Sequence, residues 1–208
     1  MHLASAAPGK MGANNLAEVT EPGIGKQSPG RLVNGGIKDL LSTWESVRPD
    51  LDLSEFLLGI VMNRMGRMLE AAFDRMCRSN FGISGPDMRV LFALRRIGEP
   101  HALRPTDLFR ALLVTSGAIT KQVDRLQSLG LVERRPDPEY AAGFQVHLTP
   151  KGCKVADTAT EELVRHSLLG EALKTLPEGI RASGTAFMYQ LLEALENAAF
   201  AEPPAPGK

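Results

Sequence analysis

The sequence predicts a mainly α chain carrying one small β-hairpin, and three observations support this. Apolar residues recur at helical spacing over most of residues 31–200. Between Leu131 and Leu148 the pattern changes to two extended runs around Pro136, Asp137, Pro138 and Gly143, which is hairpin chemistry. The polar helix just before them has a capping Thr115 or Ser116 at its start and Gly130 at its end, so the order is helix, stop, hairpin, helix.

Residues 1–30 contain Pro8, Pro22 and Pro29 among several glycines with few large apolar groups; burial there cannot offset ordering entropy, and the stretch reads as a disordered tail. A short helix is expected over Leu32–Val47, where Ile37, Leu40, Leu41 and Trp44 share a face, with Gly35-Gly36 weakening its start and Arg48-Pro49 ending it. Ser54–Ser79 is the longest helical pattern, with Phe56, Leu57, Ile60, Val61, Met65, Met68, Leu69 and Phe73 in a broad apolar stripe. Ser84-Gly85-Pro86-Asp87 reads as the cap and first turn of a helix through Met88–Ile97. His101–Leu103 is expected to add a short third strand to the hairpin.

Pro105 begins a short helix with Leu108 and Leu112 at helical spacing, and Val114 lies in the turn that follows. In the next helix Ile119, Val123 and Leu126 form the anchored side, while Ser116, Thr120, Lys121, Gln122 and Arg125 lie elsewhere on the cylinder. The hairpin strands are Leu131–Arg135 and Phe144–Leu148, with His147 expected to point outward between Val146 and Leu148. Thr149-Pro150 caps a helix reaching about Leu169, and Pro177 restarts the chain into a last helix, Ala186–Phe200. Residues 201–208, AEPPAPGK, read as a second tail. The whole is a helix-turn-helix with a hairpin wing: a winged helix-turn-helix with flanking helices.

The 208 residues suit one domain with tails, and the formal net charge is zero, so the distribution of charge is more informative than its sum. From His101 to Arg135 the cations Arg104, Arg110, Lys121, Arg125, Arg134 and Arg135 outnumber Asp107, Asp124 and Glu133; from Val155 onward acids predominate. A locally basic face suits phosphate binding. Cys77 and Cys153 are far apart and form no CxxC, which excludes a disulfide framework or zinc spacing and suits a reducing compartment. With neither a signal-peptide segment nor an apolar run of membrane-spanning length, the chain is expected in the cytoplasm. Gly82-Ile83-Ser84-Gly85-Pro86 lacks the final glycine and preceding strand of a nucleophile elbow, and His2, His101, His147 and His166 show no metal spacing. No catalytic residue, metal or cofactor is expected.

The run LRPTDLFRALLVTSGAITKQVDRLQSLGLVERRPDPE, with VHLTPKG following, resembles the DNA-binding core of the MarR family of bacterial transcriptional regulators. The match spans Leu103–Gly152, with a looser one over residues 31–200. The resemblance implies a winged helix-turn-helix at residues 84–152 and dimerisation helices at 31–80 and 153–200. It also implies a homodimer on a pseudo-palindromic DNA operator, acting as a repressor released by a small aromatic or phenolic effector. Ser116, Thr120, Lys121, Gln122 and Arg125 would meet base edges in the major groove, with Arg104 and Thr106 on phosphates and Arg134 or Arg135 at the wing base. The family writes its wing tip as an acid followed by an arginine that enters the minor groove. Here Asp137 matches, but Ala141 and Ala142 replace the cations, which predicts weaker binding with a smaller salt slope.

The N-terminally extended branch of the family, which includes urate-responsive members, carries a tryptophan and a wing-base arginine that match Trp44 and Arg134. Arg89 and Gln122 stand where that branch has an aspartate and an arginine. The expected effector is therefore a different small aromatic anion, with Trp44 stacking on its ring and Arg89 and Arg134 pairing its acid. Two alternatives remain open: a winged-helix module for protein partners, and a redox sensor using Cys153 at a helix start.

Overall fold

The computed structural model describes residues 36–140 and 142–200; the expected tails at 1–30 and 201–208, the start of the first helix and Ala141 lie outside them. The chain divides between Val61 and Met62 into two compact units. In the first, helix α1 (Ile37–Val47) ends at Arg48 and is followed by the opening turns of helix α2 (Ser54–Phe81). Trp44 meets Phe56 edge to face, with ring centroids 5.0 Å apart and planes 79° to one another.

The second unit is built around helix α3 (Gly85–Arg96), whose Met88, Val90, Leu91 and Leu94 are fully buried. Ser84 caps it by accepting the Asp87 amide at 3.2 Å, and Pro86 occupies its first turn. Around α3 pack helix α4 (Pro105–Leu112), helix α5 (Ser116–Ser128) and helix α6 (Pro150–His166), which bury Leu108, then Ile119, Val123 and Leu126, then Ala156 and Ala159. The α4–α5 turn is closed by Leu113 in the left-handed region, at φ 54°.

The sheet has strands β1 (Ala102–Leu103), β2 (Val132–Pro136) and β3 (Phe144–Leu148), antiparallel in the order β1-β3-β2, with Ala102 opposite His147 and Val132 opposite Leu148. The expected third strand is present and makes β3 central. His147 is consequently buried rather than exposed, in the middle strand with Ala102 opposite it on one side and Glu133 on the other.

The C-terminal boundaries also differ from expectation. Helix α6 stops at His166 because Ser167 turns extended, and its hydroxyl caps a separate helix α7 (Leu168–Lys174) by accepting the Gly170 amide at 3.0 Å. The continuing leucines made the two look like one. Helix α8 begins at Glu178, well before Ala186; Gly184 lies in open space, and its penalty of roughly 1 kcal/mol is spread over a 23-residue helix. Among the described residues no helix is long and apolar enough to cross a membrane.

Candidate nucleic-acid interface

Helix α5 is held at both ends. Thr115, extended at φ −77° and ψ 154°, accepts the Ala118 amide on its hydroxyl at 3.3 Å. At the other end Gly130 takes φ 68° and the Leu131 amide returns to the Leu126 carbonyl at 2.9 Å. The LTPKG run completes the fastening. Thr149 donates to the Gly130 carbonyl at 2.8 Å while accepting the Gly152 amide, so one hydroxyl joins the end of α5 to the start of α6. Lys151 Nζ caps the Leu129 carbonyl at 2.9 Å, placing a cation at the negative end of the helix dipole.

With the inward side committed to the core, Ser116, Thr120 and Lys121 are exposed together, and Lys121 enters no ion pair among the described residues. Thr120 donates its hydroxyl to the Ser116 carbonyl at 3.1 Å, leaving its lone pairs outward. Gln122 departs from the expectation of a base contact. It is only 6% exposed on the same side as Ile119 and Leu126, and its Oε1 has no hydrogen-bond partner. Being three residues after Ile119 and four before Leu126, it shares their face; that spacing was readable in the sequence.

Arg125 is half exposed, yet both ends of its guanidinium are held by Asp87, Nη2 to Oδ1 at 2.6 Å and Nε to Oδ2 at 3.2 Å. The bond to the carboxylate, opposed by desolvation, raises the arginine's pKa. Asp87 is buried at the start of α3, so this pair ties α5 to the centre of the fold. The sequence offers Asp87 only as part of a helix cap and first turn, and nothing local marks it as the partner of Arg125.

The other arginines expected at the DNA, Arg134, Arg135 and Arg104, are also paired. On β2, alternation sends Arg134 toward α5, where it bonds Asp124 and Gln127 and lies 5.2 Å over the Phe144 ring, while exposed Arg135 pairs with Glu133 two residues back. Arg104, just before α4, is held by Asp137 and Glu139 of the hairpin turn, and Thr106 is exposed in the first turn of α4. The Arg104 guanidinium first, and the Glu139 amide second, hold the Asp137 carboxyl below the usual carboxylate range. At the wing tip Ala142 is exposed, and Ala141 lies outside the described residues.

Two of the expected effector residues, Arg89 and Arg134, have separate surroundings within the second unit. Arg89 pairs with Glu70 and sits 5.2 Å over Phe73, Arg134 is held at the wing base, and Trp44 belongs to the first unit. Within the second unit a cavity of ≈ 670 Å³ lies between α2 and α5, lined by Arg67, Glu70, Asp74, Arg78, Ser84, Pro86, Ala118, Lys121, Gln122 and Arg125. Cys77 is fully buried, and burial pushes its thiol up to about 11, against ready thiolate formation; Cys153 is half-buried.

Comparison with known proteins places this geometry. The sequence profile of the MarR family matches residues 81–139, from the end of α2 into the wing turn. The HTH-type transcriptional regulator PecS of Dickeya dadantii (strain 3937) is 28% identical over 130 residues, covering 62% of this chain and 78% of the relative. The multiple antibiotic resistance protein MarR of Escherichia coli (strain K12) is 29% identical over 138 residues, covering 64% of this chain and 90% of the relative. A crystal structure of mutant MarR from E. coli complexed with operator DNA superposes with a TM-score of 0.58 at 26% identity, covering 67% of this chain and 96% of the other.

Proposed function

The chain belongs to the MarR family of winged-helix transcriptional regulators, and from that premise we propose that it is a homodimeric repressor whose DNA grip a small effector loosens. The observation that carries the DNA reading is the outward face of α5, where Ser116, Thr120 and Lys121 project beside the hairpin from a helix fastened at both ends. A helix of this diameter fits the major groove, and its N-terminal half carries the groups that reach base edges. The related MarR structure with operator DNA supports duplex DNA as the partner.

Several arginines expected at the DNA have internal roles in this reading. Arg125 and Arg134 orient α5 from below and from the wing, and Arg104 and Thr106 lie at the start of α4 where a phosphate would pass. Dimerisation draws support from the apolar side chains left exposed on the last helices: Val164, Leu168, Leu169, Phe187, Met188, Leu192 and Leu195. Effector binding draws support from the α2–α5 cavity. Arg67 and Lys121, which enter no ion pair among the described residues, would attract a small aromatic acid there, and an occupant would touch the recognition helix itself. Such a ligand acts only through different affinities for the DNA-competent and DNA-free arrangements.

The test is a salt titration of binding to duplex from upstream of the protein's own gene, against scrambled duplex, for wild type and Lys121→Ala. Specific, salt-sensitive binding should weaken in the variant, with the salt slope smaller by about 0.9 per lost phosphate contact. A second reading, a winged-helix module for protein partners, is favoured by the internal pairing of Arg104, Arg125, Arg134 and Arg135. Absence of duplex binding even at low salt would select it.

A further inference from the structure

Arg104 is paired twice, and its two acids differ in kind. Asp137 is a structural partner: its side chain is 1% exposed, and it accepts Arg104 Nε and Nη2 as well as the Glu139 backbone amide at 2.9 Å. Glu139 is a surplus one. Its side chain is 78% exposed and meets Arg104 Nη2 at 2.7 Å, the nitrogen that Asp137 Oδ1 holds less closely, at 3.3 Å. The Glu139 amide donates to Asp137, so the turn that holds Asp137 also delivers the Glu139 acid to Arg104.

An arginine at the start of the first helix of this motif stands where the DNA backbone crosses, beside the exposed Thr106. A carboxylate and a phosphate oxygen use the same fork of the guanidinium. We propose that Glu139 is an intramolecular stand-in for a DNA phosphate: it occupies Arg104 Nη2 in the free protein and must leave before that nitrogen engages the backbone. Asp137 meanwhile keeps the arginine aimed. The inference rests on the DNA-binding reading above and adds a tuning residue to it. Affinity is held down at this contact by an internal competitor, and one cation–phosphate contact contributes less salt dependence than an unpaired arginine would.

The experiment is a salt titration of duplex binding for the full chain as wild type, Glu139→Gln, Arg104→Ala and the double variant, with thermal melts to confirm folding. Glutamine keeps the size and the backbone amide but loses the charge. Glu139→Gln should tighten binding to specific and scrambled duplex alike, by roughly two- to fivefold per protomer as an exposed ion pair is removed from the competition. It should also steepen the salt slope by about 0.9 per protomer. The gain should vanish when Arg104 is already alanine. An unchanged or weaker affinity in Glu139→Gln overturns the inference while leaving the DNA reading intact. A gain that persists in the double variant also overturns it, since the acid would then repel DNA without acting through Arg104. Wild type that binds no duplex at low salt removes the DNA reading and this inference together.

Discussion

Gly152 stands where no side chain fits: a Cβ there would lie 2.1 Å from the Leu131 carbonyl oxygen and 2.8 Å from a Leu148 methyl. Backbone on one side cannot give way as a flexible side chain would. Gly152→Ala should cost roughly 1–3 kcal/mol or more, as overpacking does, and lower the melting temperature while α6 stays helical by circular dichroism. His147 carries a second prediction. Burial, then the nearby Arg135 charge, lowers its pKa from the ordinary 6.5, so the folded protein binds this proton later than the unfolded chain. Its contribution is fully present above the unfolded value and is lost as pH falls from about 6.5 through the depressed folded value. Stability should therefore fall as pH drops below about 6.5, and His147→Gln, which cannot take up that proton, should flatten that part of the profile in pH-stepped melts. At this scale the sequence shows composition and local period but not which strand is central. His147 looked outward because a two-stranded hairpin leaves β3 with one neighbouring strand, and β1 supplies the second.

Helix α5 shows how an element divides its side chains between holding and reading. Its ends are secured by Thr115, Gly130, Thr149 and Lys151, and its middle by Arg125 on Asp87. Arg125→Ala removes the cation from a buried carboxylate, so it should lower the melting temperature and weaken DNA binding together. Lys121→Ala should weaken binding with the melting temperature unchanged. Equal melting temperatures for the two variants would contradict the anchoring role of Arg125. Thr149→Val removes the α6 cap and the bond to the Gly130 carbonyl, with an expected loss of about 1 kcal/mol seen in denaturant midpoints. The helix, its caps and its glycine stop were legible in the sequence because each is written within a few residues. The engagement of Arg104, Arg125 and Arg134 was not, since their partners Asp137, Asp87 and Asp124 lie 33, 38 and 10 positions away in the chain.

The second unit taken whole leaves its C-terminal helices poorly covered. Leu191 is the one residue of Glu178–Ala199 that is even half-buried, while Phe187, Leu192 and Leu195 are exposed. A helix this apolar gains little from its own hydrogen bonds in water and needs a packing partner. On the dimer reading, Leu192→Glu with Leu195→Glu should give a monomer in sedimentation at micromolar concentration. It should also weaken operator binding far more than binding to a single half-site, because two linked reading heads gain by effective concentration. A stable monomeric wild type at the same concentration would remove the dimer reading.

By itself the sequence determined most elements and their order, the caps, the hairpin and the family resemblance, though not the break at Ser167 or the early start of α8. These follow from periodicity, turn residues and short motifs, all local quantities. The tertiary structure decided which polar groups are spent internally: Gln122 turned into the core, Arg125 fixed by Asp87, Arg104 shared between Asp137 and Glu139, and His147 sealed by β1. Those outcomes depend on which distant residues become neighbours once the core closes. A side chain's availability to DNA is therefore a property of the packed molecule and not of its place in the chain.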